Sequence, residues 1–298
     1  MRRGVSALLA VLAAGCRGGT SQAQQFDGDQ ARRWVEHQVA AGPRIPNTPG
    51  HRAIAQWLEQ ELRARADTVE LQPFTHVTRG GDTLHLVNIL ARFRTADPNR
   101  VLFVTHWDTR PHADNDPDPA RRTQPVPGAN DGASGTAVLL GVADQLKRRP
   151  PSLGVDLLFV DGEDYGNFDG PDVLLGSTWF AQHQPPGYRP LFGVLFDMVG
   201  GEALQVEQEG YSLDGAPEVV ERVWTTAEEQ GLGRVFRNRR GGYVDDDHVP
   251  LLRAGLRVID LIDVISNYPP WHTTADTPDK VSARTLANVG RLAMALVR

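Results

Sequence analysis

Short apolar segments that alternate with helix-like segments constrain the fold of this chain most strongly. The segments VLFVT (101–105), VDLLFV (155–160) and LFGVLFDM (191–198) are nearly continuous apolar runs. Such runs are typical of parallel strands that are covered on both faces, whereas a half-exposed strand alternates apolar and polar residues. Strands that alternate with helices along a chain indicate an α/β fold with a largely parallel sheet.

The periodicity of apolar residues predicts the other elements. Further strands are expected at 84–94 and 256–263. Helices are expected where apolar residues recur every three or four positions, namely one from residue 27, one within 47–65 and others at 133–148, about 173–183, 216–230, 247–254 and 282–297. The sequence has no repeat, low-complexity linker or change of composition. We therefore predict a single domain over residues 26–298, a three-layer αβα sandwich around a central mixed, largely parallel sheet.

Residues 1–25 are predicted to be a signal or lipoprotein segment followed by a tether. Arg2 and Arg3 precede the apolar run VSALLAVLAA, which is too short to span a bilayer, and AAGC ends at Cys16, the only cysteine. Small residues before a cysteine resemble a bacterial lipoprotein cleavage site, which would leave the lipid on Cys16. The alternative is ordinary signal cleavage near SQAQ (21–24). Both predict an exported protein of the periplasm or cell envelope, and the first adds a lipid anchor.

The charge balance disfavours a nucleic-acid partner. The chain has 31 basic and 37 acidic residues, a formal net charge of -6, and its basic residues form no long block. Nucleic-acid-binding domains instead concentrate Lys and Arg in a patch or stripe. We expect a monomer that meets the membrane only through the possible lipid on Cys16.

Polar residues follow the predicted buried strands at the points where the strands end. They are His106 and Asp108, Asp161 to Asp164, Asp197, and His272, while Asp131 stands before a helix in a Gly-rich segment. Sites in open α/β sheets gather at the carboxyl ends of strands. Each residue alone has a structural alternative: His106 as a core histidine, Asp131 as a helix N-cap, Asp197 as a turn residue and His272 as a surface loop residue. Their joint occurrence favours a functional site.

The acidic pair Glu163 and Asp164 is the hardest feature to explain structurally. Two adjacent carboxylates near a buried strand raise each other's pKa unless a cation intervenes. Neighbours on an extended backbone point to opposite sides, so one can bind an ion while the other moves protons. A set of imidazoles and carboxylates without cysteine suits zinc better than the oxygen-only sites of Mg or Ca. If the strand continues past His106, Asp108 lies on the same side and can orient the imidazole.

Five motifs in order resemble the zinc aminopeptidase superfamily, and more closely its glutaminyl-peptide cyclotransferase branch. They are His-x-Asp (106–108), Asn-Asp-Gly-Ala-Ser-Gly (130–135), the acidic pair, Leu-Phe-Asp-Met (195–198) and Trp-His-Thr (271–273). The resemblance covers nearly all of the chain after the signal segment. It implies that Asp131, Asp164 and His272 bind zinc and that Glu163 is the general base and acid. In two-zinc aminopeptidases, His106 and Asp197 would complete a second site, so the count is one zinc ion, with two as the alternative.

Two features favour the cyclase branch within this resemblance. Trp271 would form a wall of the substrate pocket, and Asp246 would join Asp197 in a hydrogen-bond network that holds the leaving group. The alternative for Asp246, and our interpretation of Asp245, is an acid that favours a helix N-terminus. The chain departs from animal cyclases at Asp260, where they have histidine, and Phe168 is the nearest counterpart of an aromatic residue in their loop after the acidic pair.

The resemblance therefore implies a zinc-dependent acyltransferase that converts the N-terminal glutamine of peptides or proteins to pyroglutamate with release of ammonia. The first alternative is a zinc aminopeptidase, in which the same Glu163 would activate a water that hydrolyses the first peptide bond. The second alternative is a non-catalytic lipoprotein that only binds peptides.

Overall fold

The computed structural model describes residues 26–167 and 170–298, so the predicted signal segment with Cys16, and also Phe168, lie outside the described residues. The helices are α1 (Gly28–Ala40), α2 (Pro49–Arg63), α3 (Ala133–Arg148), α4 (Leu175–Gln182), α5 (Gly210–Gly215), α6 (Pro217–Glu229), α7 (His248–Arg253) and α8 (Ala283–Leu296). The strands are β1 (Thr68–Val77), β2 (Thr83–Phe93), β3 (Arg100–His106), β4 (Gly154–Val160), β5 (Phe192–Asp197), β6 (Val206–Gln208), β7 (Phe236–Arg240) and β8 (Val258–Ile262).

Within the described residues, six strands form the central sheet in the order β1-β2-β4-β3-β5-β8. The strands β4, β3, β5 and β8 run parallel to one another, while β1 and β2 form an antiparallel pair at one edge, and β2 meets β4 antiparallel. The carboxyl ends of four parallel strands therefore meet at one edge of the sheet. This is where ligands bind in open α/β sheets.

Helices bury the central strands on both faces, which is why β3 is an apolar run without alternation. Val101 and Phe103 of β3 belong to the large core beneath α1, α3 and α8. Leu102 and Val104 belong to the core of the opposite face, which includes Phe180 of α4 and Leu251 of α7. The predicted fold class is confirmed: the chain is an αβα sandwich with a mixed, mostly parallel central sheet. No helix in the described part of the chain is long and apolar enough to cross a membrane.

The elements that the sequence did not predict are those with little burial. β1 is an edge strand in which only Gln72 is fully buried, and it contains Pro73, so it lacks the alternation of a half-buried strand. The strand β7 has one buried residue followed by four exposed ones. Together with the three-residue β6 it forms a small separate sheet, and the short helix α5 lies in the same region. Hydrophobic periodicity cannot detect elements that bury so few apolar side chains.

Candidate metal centre and active site

The polar residues that follow the strands converge at the carboxyl edge of the sheet. His106 ends β3, Asp197 ends β5, and the acidic pair follows β4. A pocket of about 250 Å³ opens there; its lining includes Asp131, Glu163, Asp197, Asp246, Trp271 and His272. The fold thus brings together residues that lie far apart in the sequence.

Asp131, Asp164 and His272 form one group of candidate metal ligands. All three are buried, and one ligand atom from each lies within 4.8 Å of the others. His272 Nε2 lies 3.6 Å from Asp131 Oδ2 and 3.5 Å from Asp164 Oδ1. Asp164 Oδ2 is buried and has no hydrogen-bond partner among the described residues. Two carboxylates and an imidazole are a donor set that zinc accepts, and the unpartnered oxygen needs a cation or a donor, so these residues fit zinc.

The electrostatics of this group favour a bound cation. Burial and the neighbouring carboxylate of Asp131 raise the pKa of Asp164 well above its ordinary value, although Arg110 opposes the shift. Burial lowers the pKa of His272 to about 4, so its imidazole is neutral at pH 7 and has a lone pair to share. A divalent cation would stabilise both carboxylates in their charged form.

Asp131 does not cap the helix that follows it. Gly132 occupies the N-cap position of α3 with a positive φ of 88°, so the cap interpretation of Asp131 is wrong. A Cβ at residue 132 would lie 2.5 Å from the Asp108 carbonyl oxygen, so only glycine fits there. Asp276 accepts hydrogen bonds from the backbone N–H groups of Asn130 and Asp131 and thereby holds this turn.

His106 and Asp197 lie beside Asp131 in a second group of candidate ligands. His106 Nε2 is 3.0 Å from Asp197 Oδ1 and 3.2 Å from Asp131 Oδ1. The carboxylates of Asp197, Asp108 and Asp131 outweigh the opposing effect of burial and raise the pKa of His106 well above its usual value. His106 hydrogen-bonds to Asp197 and lies at ion-pair distance from Asp131, and these carboxylates favour its protonated form.

Asp108 supports the acidic pair. β3 ends at His106, so the continued strand that would align Asp108 with His106 does not exist. The two carboxylate oxygens of Asp108 instead accept hydrogen bonds from the backbone N–H groups of Glu163 and Asp164, at 3.1 and 3.2 Å. Asp108 Oδ1 also lies 3.5 Å from His106 Nδ1. Asp108 thus fixes the backbone of the acidic pair and is near, but not bonded to, the imidazole.

Glu163 and Asp164 face different surroundings, as their different proposed roles require. Asp164 joins the first ligand group, whereas Glu163 lines the pocket, with its Oε2 3.8 Å from His106 Nδ1. Burial raises the pKa of Glu163 well above its ordinary value, and nearby Asp164 and Asp246 add to the shift. The pair lies in a loop rather than on an extended strand, because Gly162 turns the backbone with a φ of 72°. These surroundings favour the protonated form of Glu163.

Asp246 and Trp271 form other parts of the pocket wall. Asp246 is buried, and burial together with Asp197 and Asp247 raises its pKa well above the usual value. Asp247, not Asp246, occupies the N-cap position of α7. Asp246 lines the pocket; its Oδ1 accepts a hydrogen bond from the Asp247 N–H at 2.6 Å, and its Oδ2 has no partner among the described residues. Trp271 stacks on His272 with ring centroids 4.0 Å apart, so it covers one side of the first ligand group.

Two residues around the acidic loop, His51 and Arg110, were not recognised from the sequence. His51 Nε2 lies 2.9 Å from Asp161 Oδ2, and the same carboxylate accepts a hydrogen bond from the Val87 N–H. Asp161 therefore anchors the acidic loop to α2 and β2. Arg110 pairs with Asp164 at 2.7 Å. The polar segment TRPHADND (109–116) directly follows the His-x-Asp motif, and this position could have indicated that Arg110 lies near the site.

A mostly parallel sheet that gathers buried histidines and carboxylates at its carboxyl edge defines the class of zinc-dependent exopeptidase-like enzymes. The chain belongs to Peptidase family M28, whose family model matches residues 88–297.

Individual relatives refine this assignment. A glutaminyl cyclase from Bacteroides thetaiotaomicron, solved with N-acetylhistamine bound, is 38% identical with a TM-score of 0.88, and the match covers 92% of this chain and 98% of that chain. A Zn-dependent exopeptidase from Parabacteroides distasonis is 34% identical with a TM-score of 0.88, over 92% of this chain and 98% of that chain. Glutaminyl-peptide cyclotransferase from Bos taurus is 27% identical over 315 residues, which cover 94% of this chain and 82% of the relative. The predicted resemblance to the glutaminyl-peptide cyclotransferase branch is confirmed.

Proposed function

We propose that this protein is a zinc-dependent glutaminyl-peptide cyclotransferase, which converts the N-terminal glutamine of peptides to pyroglutamate and releases ammonia. The observation that carries the proposal is the position of Glu163: a buried carboxylate with a raised pKa in a pocket beside three residues that fit one zinc ion. The similarity to glutaminyl cyclases over nearly the whole chain supports this activity.

The hydrogen bonding of the two candidate groups favours one zinc ion. Ligands about 2.0–2.1 Å from a tetrahedral zinc lie about 3.3 Å from one another. The separations of 3.5 and 3.6 Å from His272 to Asp164 and Asp131, and of 3.2 Å from His106 to Asp131, are all close to this value. Hydrogen bonding distinguishes the groups, because Asp164 Oδ2 in the first group has no partner among the described residues. His106 and Asp197 are 3.0 Å apart, which is the length of a direct hydrogen bond. We therefore propose zinc between Asp131, Asp164 and His272, while His106 and Asp197 remain hydrogen-bonded to each other.

Zinc, when bound, supplies a Lewis acid that polarises the side-chain amide carbonyl of the substrate glutamine. Glu163 accepts a proton from the α-amine as this nitrogen bonds to the amide carbon and closes the ring. Glu163 then donates the proton to the amide nitrogen, whose bond to the same carbon breaks, and ammonia leaves. The raised pKa of Glu163 suits both steps, because an upward shift moves an acidic group towards the working pH, where proton exchange is most efficient.

Two other parts of the pocket have supporting roles in this proposal. Asp197 and Asp246 accept hydrogen bonds from the amide nitrogen of the substrate and from the ammonia that forms. Trp271 packs against the aliphatic part of the glutamine side chain. The small pocket suits one side chain and leaves the rest of the peptide outside.

An aminopeptidase is the alternative that the same residues allow, and similarity to a Zn-dependent exopeptidase is the observation that favours it. The two activities separate when the purified protein is incubated with a Gln-initiated and a Leu-initiated peptide and the products are weighed. Loss of one ammonia from the first peptide alone supports the cyclase. Release of free leucine would identify an aminopeptidase, and no change in either peptide with zinc present would leave only a binding role.

The location and assembly of the protein are proposals that rest on the sequence. We expect export and, with lipid on Cys16, attachment to a membrane of the cell envelope. Fractionation of cells and the mass of the mature N-terminus test this expectation. We also expect a monomer, which size-exclusion chromatography with light scattering tests.

A further inference from the structure

The segment that follows β3, residues 109–116, contacts two of the three proposed zinc ligands from outside. Arg110 reaches the side chain of Asp164, and Asn115 and Asp116 reach the loop that contains His272. The segment therefore spans the metal centre without contributing a ligand of its own.

Arg110 fixes the orientation of the Asp164 carboxylate. Its Nη1 donates to Asp164 Oδ1 at 2.7 Å and to the carbonyl oxygen of Gly166 at 2.8 Å. The other oxygen, Asp164 Oδ2, is buried and accepts no hydrogen bond from any residue in 26–167 or 170–298. Arg110 is itself 6% exposed and forks onto Asp114 Oδ2 through Nε and Nη2, at 2.8 and 2.6 Å. Arg110 thus holds the Asp164 carboxylate with Oδ1 at 3.5 Å from His272 Nε2, while Oδ2 is left without a hydrogen-bond partner among the described residues.

The second contact stabilises an unfavourable backbone conformation at His272. The φ angle of His272 is +54°, in the left-handed region that non-glycine residues rarely adopt. The Asn115 N–H donates to the His272 carbonyl oxygen at 3.1 Å. Asp116 Oδ2 accepts from the N–H and the hydroxyl of Thr274, at 3.0 and 2.6 Å. Backbone strain of this kind persists only where surrounding contacts impose it, and here residues 115 and 116 supply them.

We propose that Arg110 and Asp116 are positioning residues that set the orientation of Asp164 and His272 before zinc binds. The inference rests on the proposed zinc site but not on the reaction. Two effects of Arg110 on zinc oppose each other: it orients a ligand, and its positive charge repels a cation. Asp114 offsets that charge, because its Oδ2 accepts two hydrogen bonds from Arg110. We therefore expect the orienting effect to dominate, so that loss of Arg110 weakens zinc binding. Removal of such outer partners typically weakens metal binding about 10- to 100-fold.

The experiment measures zinc affinity on the full chain, stripped of metal and titrated against a competing chromophoric chelator. We expect Arg110→Met to raise the zinc dissociation constant about 10- to 100-fold. Arg110→Lys, which keeps the charge but not the planar fork, should recover only part of the loss. Asp116→Asn, nearly isosteric, should weaken binding about tenfold, at the lower end of that range. Arg121→Met and Asp118→Asn are matched controls in the same region, because both side chains are exposed, and they should leave the affinity unchanged.

Cobalt substitution gives a second readout that a merely structural role would not change. The visible spectrum of the cobalt form should change in Arg110→Met and Asp116→Asn, since the ligand geometry changes, and stay like the wild type in the controls. Circular dichroism of the metal-free variants establishes that they are folded. If folded Arg110→Lys and Asp116→Asn bind zinc within about twofold of the wild type, well inside the range for outer partners, the proposal is overturned. Failure of the wild type to cyclise glutamine would refute the proposed function but not this inference, because no peptide substrate is used.

Discussion

Substitution of Glu163 by glutamine tests the proposed chemistry most directly. The change keeps the shape of the side chain but removes its ability to accept and return a proton. The backbone N–H of residue 163 still donates to Asp108, and Glu163 is not part of the ligand group. Zinc binding should therefore be retained. General acid–base catalysis contributes about 10²- to 10⁴-fold to rates, which corresponds to about 3–5 kcal/mol of transition-state stabilisation.

We expect the catalytic efficiency of Glu163→Gln on a Gln-initiated peptide to fall by this factor, mainly through kcat. The metal-free variant should also be at least as stable as the wild type at pH 7. The native pKa of Glu163 is raised, so the native state binds its proton more tightly than the unfolded state and loses stability as the pH rises above about 4.3. A glutamine side chain does not ionise, so the variant does not lose stability in this way as the pH rises.

Continuous detection of released ammonia, with zinc content measured on the same samples, checks the prediction. Glu202→Gln, at an exposed position, is the matched control and should behave like the wild type. If Glu163→Gln binds zinc normally and keeps its efficiency within about threefold, far less than a general acid–base group contributes, Glu163 does not transfer the proton.

The remaining predictions concern the pocket wall, the acidic loop and a distant carboxylate. Trp271→Ala should raise KM about tenfold with a smaller change in kcat, because about 1–2 kcal/mol of apolar contact with the substrate is lost; steady-state kinetics measure both constants. Gly162→Ala should destabilise the fold by about 1–2 kcal/mol, since an L-residue there is strained at φ 72° and its Cβ would lie 2.9 Å from Leu86 Cδ2; urea unfolding tests this, and equal stability would contradict it. Glu209 accepts hydrogen bonds from Ser212 and pairs with His248, which lower its pKa to about 2 against the effect of burial. Its stabilising contribution should be complete above about pH 4.5 and decline as the pH falls towards 2. The difference in unfolding free energy between wild type and Glu209→Gln should therefore shrink over that range, and a difference independent of pH would refute the assignment.

The central strands could be predicted because a strand that is buried on both faces consists almost entirely of apolar residues. A segment such as VLFVT has few alternatives to a strand covered on both faces, and β3 and β4 occur within one residue of the predicted bounds. The positions of the polar residues at strand ends followed from the same argument. β1 and β7 could not be predicted, because their exposed residues give no periodic signal.

The site was predictable where a residue acts through its own side chain and unpredictable where it acts through a neighbour. Asp131, Asp164 and His272 stand in motifs whose order resembles a known family, and the structure brings them together. Arg110 and Asp116 follow a motif but have no spacing that reveals their partners, which lie 54 and 158 positions away in the sequence. Their importance depends on the tertiary fold.

The wide separation of the proposed zinc ligands along the chain has a consequence for folding. Residues 131, 164 and 272 come together only when β3, β4 and β5 are paired and the loop after β8 has closed, so the unfolded chain offers no preformed site. Zinc then binds the native state alone and stabilises it by mass action, by about 2.7 kcal/mol at a free concentration one hundred times the dissociation constant. The supply of zinc would in that way control how much of the protein is folded, and resistance to proteolysis would report metal occupancy without any substrate.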